Sequence, residues 1–238
     1  KSFHKLVNHD RADYYFFSDQ DDVWLPNKLE LSLKEAQNYL ADLPLMVYMD
    51  LKVVNQDLEI MTESMVKSQS HHANTELVQE LTENTVTGGV AMINHALAEM
   101  WQETDDILMH DWYLALLASA FGNLVFIDQP GELYRQHSDN VLGARTLSKR
   151  FKKWIRPHIL FAVYWDLIKN SQKQASHLLQ MPLSQSNREL IEAFVTIMDK
   201  SMLGRFRILR KYGLRKNKAF HTLVFTTLIV TKFAYKKE

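Results

Sequence analysis

Four short stretches carry residue types that could do chemistry, and each also has a plain structural use. Ser18-Asp19-Gln20-Asp21-Asp22 sets three carboxylates within four residues. Like charges this close repel, and a divalent cation relieves the repulsion. Magnesium and manganese take one or two carboxylates and share their other positions with phosphate oxygens. Asp19 and Asp21 are therefore candidate metal ligands, unless the cluster is simply an acidic turn ahead of a helix. His110-Asp111 stands where a helix should begin, so Asp111 is either a general base that takes a proton from an attacking hydroxyl or an N-cap. The two uses are compatible. Tyr134-Arg135-Gln136-His137 ends a strand with a cation and an imidazole, which suit phosphate oxygens or, for His137, a metal; a surface salt bridge is the alternative. Thr87-Gly88-Gly89 puts paired glycines in a strand-like stretch, marking either a ligand close to the backbone or a bulge.

The elements that must position these residues follow from periodicity. The aromatic run Tyr14-Tyr15-Phe16-Phe17 reads as a buried strand that delivers the acidic cluster into a strand-to-helix loop. Pro26 is expected at the first helical position, with Leu29, Leu33, Ala36 and Leu40 at helical spacing behind it. Leu45 to Val54 reads as a second strand, and Thr62 to Thr75 as an irregular polar loop. A short helix over Glu76 to Leu81 is followed by a strand over Val86 to Ile93 and a helix over Asn94 to Trp101. Asp111 to Phe121 is a patterned helix; Leu124 to Ile127 and Glu132 to Arg135 read as two further strands. Strands alternating with helices make an α/β layered domain. Beyond Gly143 the strand signal ends and helical patterns take over, which predicts one domain over 1–145 and an all-α basic region over 146–238.

Hydrophobic residues make up 46% of the 238 and charged residues 24%, which excludes a disordered chain. There is no cysteine, hence no disulfide framework and no thiolate metal site, in keeping with a reducing compartment. No signal peptide is recognisable, and the first residues read as a helix ahead of the first strand. The net charge of zero conceals a division. Residues 1–144 hold eight basic and 23 acidic side chains, and residues 145–238 hold 20 basic and five acidic. An acidic half can hold cations, and a basic half can meet an anionic surface. Arg145, Lys149, Arg150, Lys152, Lys153 and Arg156 lie beside Phe151, Trp154 and Ile155. Further along, Arg205, Arg207, Arg210, Lys211, Arg215, Lys216 and Lys218 precede the apolar run Ala219 to Tyr235, which is too short and polar for a membrane span. A basic helical face at an anionic membrane surface fits this pattern, with a solvated face as the alternative. Nucleic acid is not expected as a partner, because the acidic half opposes it and no binding motif is present.

Taken in order, the four stretches resemble bacterial family 2 glycosyltransferases of the rhamnosyltransferase type. Phe17-Ser18-Asp19-Gln20-Asp21-Asp22-Val23-Trp24-Leu25-Pro26-Asn27-Lys28-Leu29-Glu30 resembles their DxD segment. Thr87-Gly88-Gly89 resembles their Thr-Gly segment near the sugar pocket, and His110-Asp111-Trp112 their His-Asp base motif. Tyr134-Arg135-Gln136-His137 with Asn140-Val141-Leu142-Gly143 resembles the loop over the donor diphosphate. The resemblance implies a GT-A fold, that is, a Rossmann-like mixed sheet flanked by helices. It implies inverting transfer from a nucleotide sugar, dTDP-L-rhamnose, to a lipid-linked saccharide in cell-wall or capsular polysaccharide synthesis, at the cytoplasmic face of the plasma membrane. It assigns Asp111 as base and Asp19 and Asp21 to a Mn2+ or Mg2+ ion. Asp19, Asp22, Gly88, Gly89, Arg135, Gln136 and His137 fall to the donor. The Thr-Tyr-Asn-Gly and Asp-Asp-Gly-Ser segments of the family's nucleotide-binding half are absent from this sequence. This implies a partial GT-A core, which by itself should turn over weakly or not at all. A non-catalytic module that binds membrane or partner enzymes is the rival reading. A metal-dependent phosphohydrolase shares the carboxylates but not the ordered set.

Overall fold

The computed structural model describes residues 2–102, 107–136 and 157–236. It is a mixed α/β structure followed by a helical C-terminal region, as the sequence implies. His137, Asn140 to Gly143, and the basic run from Arg145 to Arg156 lie outside the described residues, as does the expected boundary at 145.

The sheet has the order β1-β5-β3-β6-β2, with β4 paired to the far end of β3. Its strands are β1 (Tyr14–Phe16), β2 (Val23–Trp24), β3 (Leu45–Val54), β4 (Ile60–Thr62), β5 (Ala91–Asn94) and β6 (Asn123–Arg135). Strand β3 is buried along nearly its whole length, and its mostly apolar sequence, interrupted only by Asp50 and Lys52, makes it central. It pairs in parallel with β6 from Leu45↔Asn123 to Val54↔Arg135, while every other pairing is antiparallel. The sequence suggested two strands where β6 runs unbroken. Pro130, lacking an N–H, falls at an irregularity opposite Asp50, where the ladder shifts register and then resumes.

Helices α1 (Ser2–Val7), α2 (Lys28–Ala36), α3 (Met65–Ser70), α4 (Leu77–Glu80), α5 (His95–Met100) and α6 (His110–Phe121) flank the sheet. Helix α2 opens at Lys28, so Pro26 stands in the turn ahead of it rather than at its first position. Helix α3 occupies part of the stretch expected to be irregular. Its start is fixed by Ser64, whose Oγ accepts from Lys67 N at 3.0 Å, and by Asp50, whose Oδ1 accepts from Val66 N at 3.1 Å. A buried carboxylate in the central strand thus caps a helix that periodicity alone does not reveal.

Among the described residues four α-helices follow: α7 (Pro157–Leu178), α8 (Gln185–Val195), α9 (Met202–Tyr212) and α10 (Ala219–Thr231). Trp165, Ile168, Phe194, Phe225 and Ile229 from these helices share one apolar cluster with Trp112, Leu116 and Ile93. Polar ties accompany the packing. Gln174 Oε1 accepts from Leu108 N at 2.9 Å, Ser171 Oγ donates to Leu81 O at 2.6 Å, and Asn187 Nδ2 donates to Ala120 O at 2.8 Å. Two of the region's cations are drawn inward: buried Arg205 donates to Val230 O, and Lys216 donates to Thr82 O. Among the described residues no helix is long and apolar enough to cross a membrane.

Candidate active site

The acidic loop leaves β1 and returns through the short β2 into α2. Asp19 is exposed, whereas Asp21 and Asp22 are half-buried. The loop is pinned to the end of β6. Asp22 Oδ1 accepts from Arg135 N at 2.8 Å, and the Arg135 guanidinium donates to Asp21 O at 3.0 Å and to Gln56 O at 3.0 Å. Gln136 continues the ladder, its N–H donating to Val54 O at 2.9 Å. Arg135, expected to grip phosphate, here places its guanidinium on the acidic loop and orders it. The other Asp22 oxygen is buried without a hydrogen-bond partner among the described residues. Burial pushes the Asp22 carboxyl up to about 6, against the pull of the Arg135 N–H, with Asp21 and Asp19 adding to the rise. Asp19, though exposed at its surface, is raised too, by partial desolvation and then by Asp21.

Asp111 lies in the first turn of α6, one residue past its start, and Met109 occupies the N-cap position where Asp111 itself was one candidate. Its Oδ1 accepts from Trp112 N at 2.7 Å and its Oδ2 from Gly88 N at 3.1 Å. Only 8% of its surface is exposed, and desolvation raises its carboxyl to about 6 despite those two donors, with Asp19 contributing a further small rise. The base candidate and the acidic loop, distant in sequence, therefore share one electrostatic environment. His110 beside it is walled by aromatic rings, with centroids at 4.7 Å from Phe3, 5.1 Å from Phe17 and 6.2 Å from Trp101. Burial lowers its imidazole to about 4, so the ring is neutral at physiological pH.

Gly88 and Gly89 form a 3-10 turn, Gly88–Val90, ahead of β5 rather than a bulge within a strand. A Cβ on Gly88 would stand 2.9 Å from His110 Nε2, and one on Gly89 would stand 2.5 Å from Glu132 Oε1. Side chains of the site's own wall thus fill the space the missing side chains leave.

The residues behind that wall escaped the sequence reading. Lys28 is 1% exposed and Glu132 is fully buried. The Lys28 ammonium donates to Glu132 Oε2 at 3.2 Å and to Gly89 O, and sits 3.7 Å from the centre of the Trp24 ring. A lysine in the first turn of a helix, where a cation opposes the dipole, was the one signal available.

Asp19 and Asp21 offer carboxylate oxygens, the ligand type a hard divalent cation takes, while one Asp22 oxygen is buried with no partner among the described residues. No group of three or more potential ligand side chains gathers among the described residues. Any ion here would therefore complete its shell with substrate or water oxygens, as magnesium and manganese commonly do.

No family model matches the sequence. Among known proteins, the chain is 26% identical over 176 residues to the dTDP-rhamnosyl transferase RfbG of Shigella flexneri, an alignment that covers 67% of this chain and 59% of that protein. The chain thus spans less than two thirds of this relative's length. The likeness supports a distant relationship to a glycosyltransferase.

Proposed function

We propose that this chain is the metal- and acceptor-binding part of an inverting GT-A glycosyltransferase of the family 2 type. It would move rhamnose from dTDP-L-rhamnose to a lipid-linked saccharide. The observation that carries this reading is the convergence of a buried carboxylate, Asp111, with the acidic loop at one end of the sheet. Open α/β sheets bind ligands at such strand ends.

In this reading Asp111 accepts the proton of the acceptor hydroxyl as its oxygen attacks the anomeric carbon. The C–O bond to that carbon forms as the bond to the diphosphate oxygen breaks, and one in-line displacement inverts the centre. A carboxylate raised to about 6 is ionised at neutral pH yet basic enough to take a proton. The Gly88 and Trp112 N–H groups fix its two oxygens, leaving its remaining lone pairs for the substrate. Asp19 and Asp21 would hold Mn2+ or Mg2+, which when bound supplies charge stabilisation for the departing diphosphate. Asp22 holds the loop's shape through Arg135 N, and on this reading Arg135, Gln136 and His137 would bind the donor.

The helical region supplies the membrane address, at the cytoplasmic face of the plasma membrane. On α9, exposed Leu203 and Phe206 alternate with exposed Arg207 and Arg210; on α10, Phe220 and Leu223 are exposed. Mixed apolar and basic faces of this kind suit an anionic lipid interface. The test is rhamnose transfer to lipid-linked saccharide with and without a chelator, by wild type and by Asp111→Asn.

A further inference from the structure

We propose that Lys28 is the positioning residue of this site: its ammonium ties the acidic loop, the glycine turn and β6 into one unit that holds the Asp19–Asp22 carboxylates at fixed spacing from Asp111. This inference rests on the transferase reading of the site.

Each of its contacts belongs to a different site segment. Trp24, whose ring it overlies, ends the acidic loop and pairs with Glu132 in the β2–β6 ladder. Gly89 O, which it reaches directly, belongs to the turn whose Gly88 N–H holds Asp111. Glu132, its ion-pair partner, lies on the strand whose Arg135 N–H holds Asp22. One cation therefore contacts the acidic loop, the glycine turn and β6, the three segments that meet around the site beside α6.

Stability alone does not account for the pair. A buried ion pair gives up two hydration shells, and well-packed apolar residues in its place are commonly as stable or more so. Here the cost is compounded. Glu132 Oε1 is buried without a partner among the described residues, a glycine at 89 is needed to make room for that carboxylate, and the lysine opens a helix at its positive end. An arrangement this costly, sitting where the site segments meet, fits a role in fixing geometry.

The experiment compares wild type, Lys28→Met and the double variant K28M/E132L by hydrogen–deuterium exchange of the 238-residue chain, with Mn2+ titration followed by electron paramagnetic resonance. Exchange should rise together in peptides covering 18–27 and 86–91, by about tenfold or more, the scale expected when a charge-assisted hydrogen bond is lost. Helices α6 and α8 should stay protected as in wild type. The double variant, which leaves no buried charge unpaired, should melt no lower than wild type and yet show the same loosening and weaker Mn2+ binding. Unchanged exchange in the two segments would overturn the proposal, as would a rise spread evenly over the chain, which is the mark of a purely structural pair. If wild type binds no Mn2+, the metal-site reading fails, while the exchange pattern still decides the role of Lys28.

Discussion

The Asp111 carboxylate is buried beside two backbone N–H groups, and the desolvation it suffers exceeds what they return, which is why it sits at about 6 rather than the usual 3.8. This has a consequence for stability with a definite sign. Between those two values the folded chain keeps a proton that the unfolded chain has lost, so stability falls as pH rises through this window. Replacing Asp111 with Asn removes the buried charge, worth about 3 kcal/mol from a shift of this size. The amide can accept from only one of Gly88 N and Trp112 N, which takes back about 1–2 kcal/mol. Urea unfolding should therefore show Asp111→Asn more stable than wild type by about 1–2 kcal/mol at pH 7.5, with the advantage gone near pH 4. A variant less stable at both pH values would show that Asp111 is a structural hydrogen-bonding residue and little more.

At the scale of elements, the glycine turn makes the sharpest prediction. Gly89 needs no unusual backbone angle; it needs the absence of a Cβ, because the Glu132 carboxylate stands 2.5 Å from where that atom would be. Lys28 holds the carboxylate from the other side, so Gly89→Ala cannot be absorbed by a simple swing of the side chain. The expected cost is about 1–3 kcal/mol, measured by thermal or urea unfolding. A neutral Gly89→Ala would mean that Glu132 moves freely. The turn also shows what sequence can and cannot disclose. Strands β1 and β3 and helix α6 were legible from runs of aromatic or apolar residues and helical spacing, although β1 is only half-buried where a buried strand was expected. The acidic loop and Asp111 were legible as candidates because charge in such places demands a use. The Lys28–Glu132 pair was not, since two residues separated by most of the α/β part reveal their partnership only once the sheet brings them together. Helix α3 and the unbroken β6 were missed for a related reason. Asp50 caps the first from a distant strand, and parallel pairing with β3 carries the second across Pro130.

At the scale of the whole molecule, the charge division has acquired a more specific form. Arg205 and Lys216 are spent on internal carbonyls, so the surface charge of the helical region is carried by residues such as Arg207, Arg210, Lys211 and Arg215. Exposed lysines and arginines near an anionic membrane contribute about 1 kcal/mol each, and the contribution fades as salt shortens the Debye length. The chain should co-sediment with vesicles containing phosphatidylserine or phosphatidylglycerol at low salt and be released at high salt. Arg207→Glu with Arg210→Glu should abolish the binding without lowering the melting temperature. Equal recovery with neutral vesicles, or none with anionic ones, would remove the membrane from the account.

If Asp111 takes the acceptor's proton in glycosyl transfer, as proposed above, this is shown directly by the transfer rate of Asp111→Asn against wild type. It is best measured on the product of the complete reading frame that contains this chain, with dTDP-rhamnose, Mn2+ and a lipid-linked saccharide. Asp111→Asn should lose about 10²–10⁴ in kcat with donor binding unchanged. The wild-type rate should climb with pH through about 6 as the carboxyl ionises. Transfer by Asp111→Asn within a few-fold of wild type would contradict the proposal.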